Sequence, residues 1–194
     1  MKRKVILWTL LIAIASPVHA TKLLHRNAAE LATLANRIFI GNCISIENKN
    51  MTIQGHSMLV TEYTFQVTQG LKGVTGQTLV FRQFRSTQGA GAVVGMPEYQ
   101  KGKNYMLFLG KDSDYGLTSP IGLGQGAFIV ITDNSGTTRA VNFFGNQGLF
   151  KNMSSGTLLG KKASYSKAEK SLLQKTSGPV DTASFVSLVK KLIE

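Results

Sequence analysis

The stretch TSPIGLGQGAF, Thr118–Phe128, decides between two very different folds. Glycines stand at 116, 122, 124 and 126. A loop that grips phosphate follows a strand, opens a helix and aims its backbone amides at the anion. Here GLGQG runs instead into AFIVIT, which reads as a strand. The spacing is neither G-x-G-x-x-G nor the Lys-Ser/Thr type. A nucleotide-binding α/β unit is therefore set aside. The glycines are expected to let the chain bend sharply, or pass close to another backbone, as it enters a strand.

Working outward, the rest of the chain is mostly strand pattern. TEYTFQVTQ places Tyr63, Phe65 and Val67 on one face and Glu62, Thr64, Gln66 and Thr68 on the other. Ile38, Ile40, Ile44 and Ile46 recur at every second residue of RIFIGNCISIE. QTLVFRQFR is a further strand, NYMLFLG an apolar central one, and AFIVIT and TRAVNFFG form a hairpin around DNSG. Strands are predicted over residues 37–47, 59–69, 77–85, 104–110 and 126–132, with 138–144 added. Asn48–Ser57 is expected to be a polar loop, and STQGAGAVVGMPEYQKGK a long connection. LHRNAAELATLAN reads as a short helix with Leu24, Ala28, Leu31 and Ala35 on one stripe. DTASFVSLVKKLIE reads as a second, with Phe185, Leu188, Val189 and Leu192 on one stripe and Asp181 or Thr182 as N-cap. Residues 149–180, rich in Ser, Lys and Gly, are expected to be a loop and a poor core former, with at most a helical turn near 168–174.

The start, MKRKVILWTLLIAIASPVHA, has the layout of an export signal: Lys2, Arg3 and Lys4, then an apolar run, then Val18 and Ala20 at the small-residue positions. Cleavage after Ala20 leaves one domain's worth of chain, Thr21–Glu194, expected in the periplasm or secreted. Nineteen Lys and Arg then stand against ten Asp and Glu, a net +9, which suits an anionic polymer or surface. Cys43 is the sole cysteine, so no intramolecular disulfide forms.

This pattern predicts a mainly β fold: an OB-like antiparallel barrel of five to six strands over residues 21–148, with a helix near each end, the second (181–194) packed on the barrel. A two-sheet sandwich is the alternative. The order NRIFIGNCISIE, YTFQVTQGLKG, GQTLVF, VGMPEYQKGKNYMLFLG and GLGQGAF resembles a group of small exported bacterial proteins. Its first four elements are also similar in layout to the netrin-like N-terminal domain of tissue inhibitors of metalloproteinases, itself an OB barrel. That resemblance implies a non-catalytic protein partner, an exported protease among the candidates. It departs at one point: those inhibitors chelate the protease zinc through a mature N-terminal cysteine, whereas this chain would begin Thr21-Lys22. The chelating mechanism does not carry over.

Catalytic chemistry finds little support. After the signal only His25 and His56 remain as imidazoles, with no companion acid at ligand spacing, so no metal or other cofactor is expected. Cys43 as a nucleophile paired with His56 is the third reading; a buried thiol in a strand is favoured over it. DSDYG lacks the remaining ligands of a calcium loop. Two binding surfaces are left. The uncharged loop 86–97 ends in AVVGMP, and Val93, Val94, Met96 and Pro97 are the candidate protein-contact residues. Arg82 and Arg85, in FRQFR, and Lys161 and Lys162 are the candidates for anion binding.

Overall fold

A computed structural model describes residues 24–85, 93, 95–153 and 164–194. The signal segment, Lys161 and Lys162, Val94 and residues 86–92 of the long connection lie outside the described residues. The elements are α1 (Ala28–Leu34), β1 (Arg37–Ile53), β2 (His56–Lys72), β3 (Thr78–Phe84), β4 (Asn104–Leu109), β5 (Ala127–Thr132), β6 (Thr138–Asn142), α2 (Lys167–Leu173), β7 (Val180–Asp181) and α3 (Thr182–Ile193). The strands form one antiparallel sheet in the order β3-β2-β1-β4-β5-β6-β7. The expectation of a closed five- to six-stranded barrel is corrected to this coarser statement. Among the described residues the sheet has seven strands and is not closed, because β3 and β7 end it on opposite sides. No described helix is long and apolar enough to cross a membrane.

Both faces of the sheet are buried, which is why β4 reads as apolar throughout. On one face Ile38, Met106, Phe108, Phe128 and Ala140 pack against α1 and α3, whose Leu31, Phe185, Leu188 and Val189 are fully buried. Asn27 caps α1 in a reciprocal box with Glu30. Asp181 caps α3 by accepting from Ser184 N. The other face is aromatic: Tyr63, Phe65, Phe81 and Tyr105 surround Tyr99, and Phe39 packs edge-on against Phe65. Phe65 stacks on Phe81 at 5.7 Å, and Tyr99 sits edge-on at 4.8 Å from Tyr63 and 5.1 Å from Tyr105. Tyr99, from the MPEY stretch, is thus the plug that covers this face.

Two segments depart from expectation. Residues 48–57 are not a loop. β1 and β2 run on as a long hairpin to a two-residue turn at Gln54 and Gly55, both at positive φ (50° and 80°). The arm projects past β4 and packs only its end, Met51 and Ile53 against Val60, Leu117 and Phe84, so its apolar alternation is too short to announce a strand. Residues 149–180 do contribute to the core. Leu149, Phe150, Met153, Tyr165, Leu172 and Val180 are buried with the helices, and α2 is capped by Ser166 and Glu169. These apolar residues are sparse and irregularly spaced, so no periodicity announces them.

Candidate functional site

The glycines around Gln125 act through backbone approach. Gly126 donates no side chain because a Cβ there would lie 2.5 Å from Ile121 O; at Gly124 it would lie 2.9 Å from Phe143 Cβ. The space is used for main-chain bonds: Phe108 N to Gly126 O at 2.9 Å, Phe143 N to Gly124 O at 3.2 Å, and Gly124 N to Gly95 O at 3.0 Å. Three separate segments (around 95, 124 and 143) are thereby joined. Gln125 itself is buried, and its side-chain amide accepts from Arg26 N at 2.7 Å and donates to Leu24 O at 3.0 Å. It pins the start of the described chain to the sheet.

Directly after β6 comes a turn whose backbone is fixed by two buried asparagines. Asn142 N donates to Asn146 Oδ1 and Asn146 N to Asn142 Oδ1, each at 2.8 Å. Asn142 also donates to Gln125 O at 3.1 Å, and Asn146 to Ala140 O at 3.0 Å and Gly178 O at 2.9 Å. Asn146 adopts φ 59°, a conformation asparagine tolerates. Between them Phe143 and Phe144 stand 51% and 41% exposed. A cleft of about 210 Å³ opens beside Phe143 toward Tyr105 and Ile129. One of about 220 Å³ opens beside Phe144 toward His25 and Arg26. Phe144 Cζ also lies 3.9 Å from where a Cβ on Gly95 would stand, which sets the end of the long connection against the turn.

The candidate protein-contact residues are divided by the fold. Met96 is half-buried in a groove of about 370 Å³ with Phe84, Leu117, Pro120 and Leu123. Val93 is half-buried. Pro97 is buried, and its carbonyl accepts from Gln83 Nε2 at 2.7 Å. Val94 lies outside the described residues. Of the anion candidates, the two described ones, Arg82 and Arg85, do not form one patch. Arg82 and Arg85 project from opposite faces of the β3 line, and Arg82 Nε bonds Glu62 Oε2 at 2.6 Å. Arg85 is exposed beside a cleft that also holds Glu98.

Cys43 is buried, and its thiol is pushed up to about 11 by that burial, with Lys101 opposing only in part. At neutral pH it is a thiol, not a thiolate. His56 sits at the tip of the hairpin, opposite Ile53, roughly 30 Å along the strand from Cys43 at the usual rise per residue. The two do not form a pair. Asp112 is engaged by Arg37. Among the described residues no three His, Cys, Asp or Glu side chains are grouped to hold a metal.

No family model, no curated protein and no solved structure matches this chain. The likeness to exported bacterial proteins and to metalloproteinase inhibitors rests on the quoted motifs alone. Sequence reasoning missed Phe143 and Phe144 because it continued the strand through 144, where alternate residues face the core. The signal was present in the residues that follow: Gly145-Asn146 is turn chemistry and ends the strand before both aromatics.

Proposed function

We propose that this chain is an exported, non-catalytic protein-binding module and that Phe143 and Phe144 are its anchors. One observation carries the reading: two adjacent phenylalanines are held exposed on a turn whose backbone is locked by buried side chains. Large apolar side chains presented on a rigid scaffold lose little entropy on binding, and aromatic anchors beside clefts dominate many interfaces. Met96 and Leu123 extend the apolar surface. An exported protease is the partner class that the inhibitor resemblance implies.

We further propose an OB-like arrangement, partly open. Two isolated bridges support it: Arg82 pairs in parallel with Leu117, and Leu109 pairs antiparallel with Pro120. The segment before the glycines thus touches β3 on one side and β4 on the other. The alternative, binding of an anionic polymer or surface, draws on the net charge, but Arg82 is already matched by Glu62.

Capture from a native periplasmic or culture-fluid extract tests the reading. The wild-type chain should retain a stoichiometric protein partner, and Phe143→Ser with Phe144→Ser should lose it while remaining folded. Retention on a polyanion that salt abolishes, with no protein captured, would favour the alternative. Inhibition assays against exported proteases then test the partner class.

A further inference from the structure

The long hairpin leaves an open sheet edge. β4 pairs with β1 only from Arg37 to Asn42, and Cys43 still bonds the chain at Gly102 and Lys103. From Ser45 to Ile53, β1 pairs with β2 alone among the described residues. About half the N–H and C=O groups of such a strand point away from its one partner. A long row of this kind is a template for another strand.

Charge on this edge is specific. With cleavage after Ala20 the chain carries a net +9, which opposes self-association in general. Residues 44–53 carry only Glu47 and Lys49, so the edge is neutral. Glu47 stands directly opposite Glu62 across β1 and β2, an unfavourable like-charge pair. Lys49 is shared between them, 3.2 Å from Glu47 and bonded to Glu62, while Arg82 serves Glu62 alone. Glu62 therefore has two cations. Glu47, with its side chain 57% exposed, has part of one, and its other flank is the open edge.

We propose that a second copy of this chain pairs with this edge, β1 to β1 and antiparallel, about a two-fold axis through Asn48. That register sets Glu47 against Lys49 of the partner subunit, and Lys49 against the partner's Glu47, on one face of a continuous sheet. The second cation reaches the carboxylate that lacks one. Moving the axis to residue 47 or 49 sets like charge against like, so the charges select the register.

The test uses the full mature chain. Asn48 lies on the axis, where antiparallel Cα atoms are about 4.5–5.5 Å apart, within the roughly 4.4–6.8 Å that a disulfide spans. Asn48→Cys should form a covalent dimer under mild oxidation. Asn50→Cys should not, because the two copies of residue 50 lie about 13 Å apart along the strands. The native Cys43 is buried and stays silent. In sedimentation, Lys49→Glu should weaken the dimer by about tenfold or more, and adding Glu47→Lys should restore it. Cross-linking no faster at residue 48 than at residue 50 overturns the proposal. So does a wild-type chain that stays monomeric to about 1 mM, an outcome that leaves the edge to an extended segment of another protein. The Asn48→Cys arm keeps every charge, so it decides even if Lys49→Glu fails to fold.

Discussion

Asn142 and Asn146 each accept the other's backbone N–H on a side-chain oxygen, at 2.8 Å in both directions. The turn between them is therefore closed by two buried reciprocal bonds rather than by a strand ladder. Asn146→Ala would leave Asn142 N–H, Ala140 O and Gly178 O without these partners. An unsatisfied buried polar group costs about 1–3 kcal/mol, so with three groups affected a loss of at least about 3 kcal/mol is expected in urea unfolding. Asn146→Gly keeps the positive φ. A similar loss in that variant assigns the cost to the hydrogen bonds, and a much smaller one assigns it to backbone strain.

Phe143 and Phe144 should separate binding from stability. Phe143→Ser removes a side chain that is half in water, and exposed substitutions usually shift stability by about 0.5 kcal/mol or less. Phe144→Ser should cost somewhat more, because its ring edge lies against Gly124. Truncating an aromatic anchor typically costs about 2 kcal/mol or more in binding, roughly a thirtyfold rise in Kd. Titration of the captured partner with each variant measures this. An unchanged Kd in both removes these residues from the interface.

Gly126→Ala should be among the most damaging single-methyl additions. Its φ of −91° strains no L-residue, so any cost is steric, from a Cβ 2.5 Å from Ile121 O and 3.3 Å from Phe108 O. Neither atom can yield without breaking the ladder beside β4. Overpacking of this kind costs about 1–3 kcal/mol. Gly76→Ala is the comparison, since its nearest new contact is an ordinary 3.5 Å. Thermal unfolding should show a clear fall in Tm for the first and little change for the second.

Much of this architecture was legible in the sequence. Tyr63, Phe65 and Phe81 alternate with polar residues, and that alternation placed β2 and β3 to within a few residues. Phe185, Leu188 and Leu192 marked α3 and its buried stripe in the same way. What stayed hidden lacks such a pattern. The arm from Asn48 to Ser57 packs only Met51 and Ile53 into a small cluster and leaves most of its other positions in solvent, so its hydrophobic signature is short. Phe150 and Tyr165 enter the core singly from a polar stretch. Tyr99 looked like part of a connection, yet it fills the centre of an aromatic face. The exposed aromatic turn is signalled locally by Gly145-Asn146 alone; the facing of Asn142 and Asn146 that locks it is a pairing that no local propensity encodes. The locked thiol of Cys43 was the opposite case. A cysteine in an apolar strand reads as buried, and Cys43 is. Reaction of the folded protein with a thiol reagent at pH 8 should be far slower than that of free cysteine.

Glu169 gives the fold a pH dependence of defined sign. Its side chain is 1% exposed. Burial alone would raise its pKa, but Lys191 at 2.7 Å, Ser187 Oγ at 2.7 Å and the Ser166 backbone and hydroxyl outweigh this and hold it near 2, below the ordinary 4.5. A carboxylate with a depressed folded pKa stabilises the fold above its unfolded pKa and loses that contribution as pH falls toward the folded value. The window is therefore about pH 5 down to pH 2, and the contribution is at most about 3 kcal/mol at 1.36 kcal/mol per unit. Glu169→Gln removes the ionisation but keeps the shape. At pH 7 it should be less stable than wild type, because Lys191 loses its anion between α3 and α2. As pH falls through the window the two proteins should converge, since Glu62, Asp133 and Asp181 titrate alike in both. Parallel stability curves from pH 7 to pH 2 would show that Glu169 is not held ionised in the folded chain.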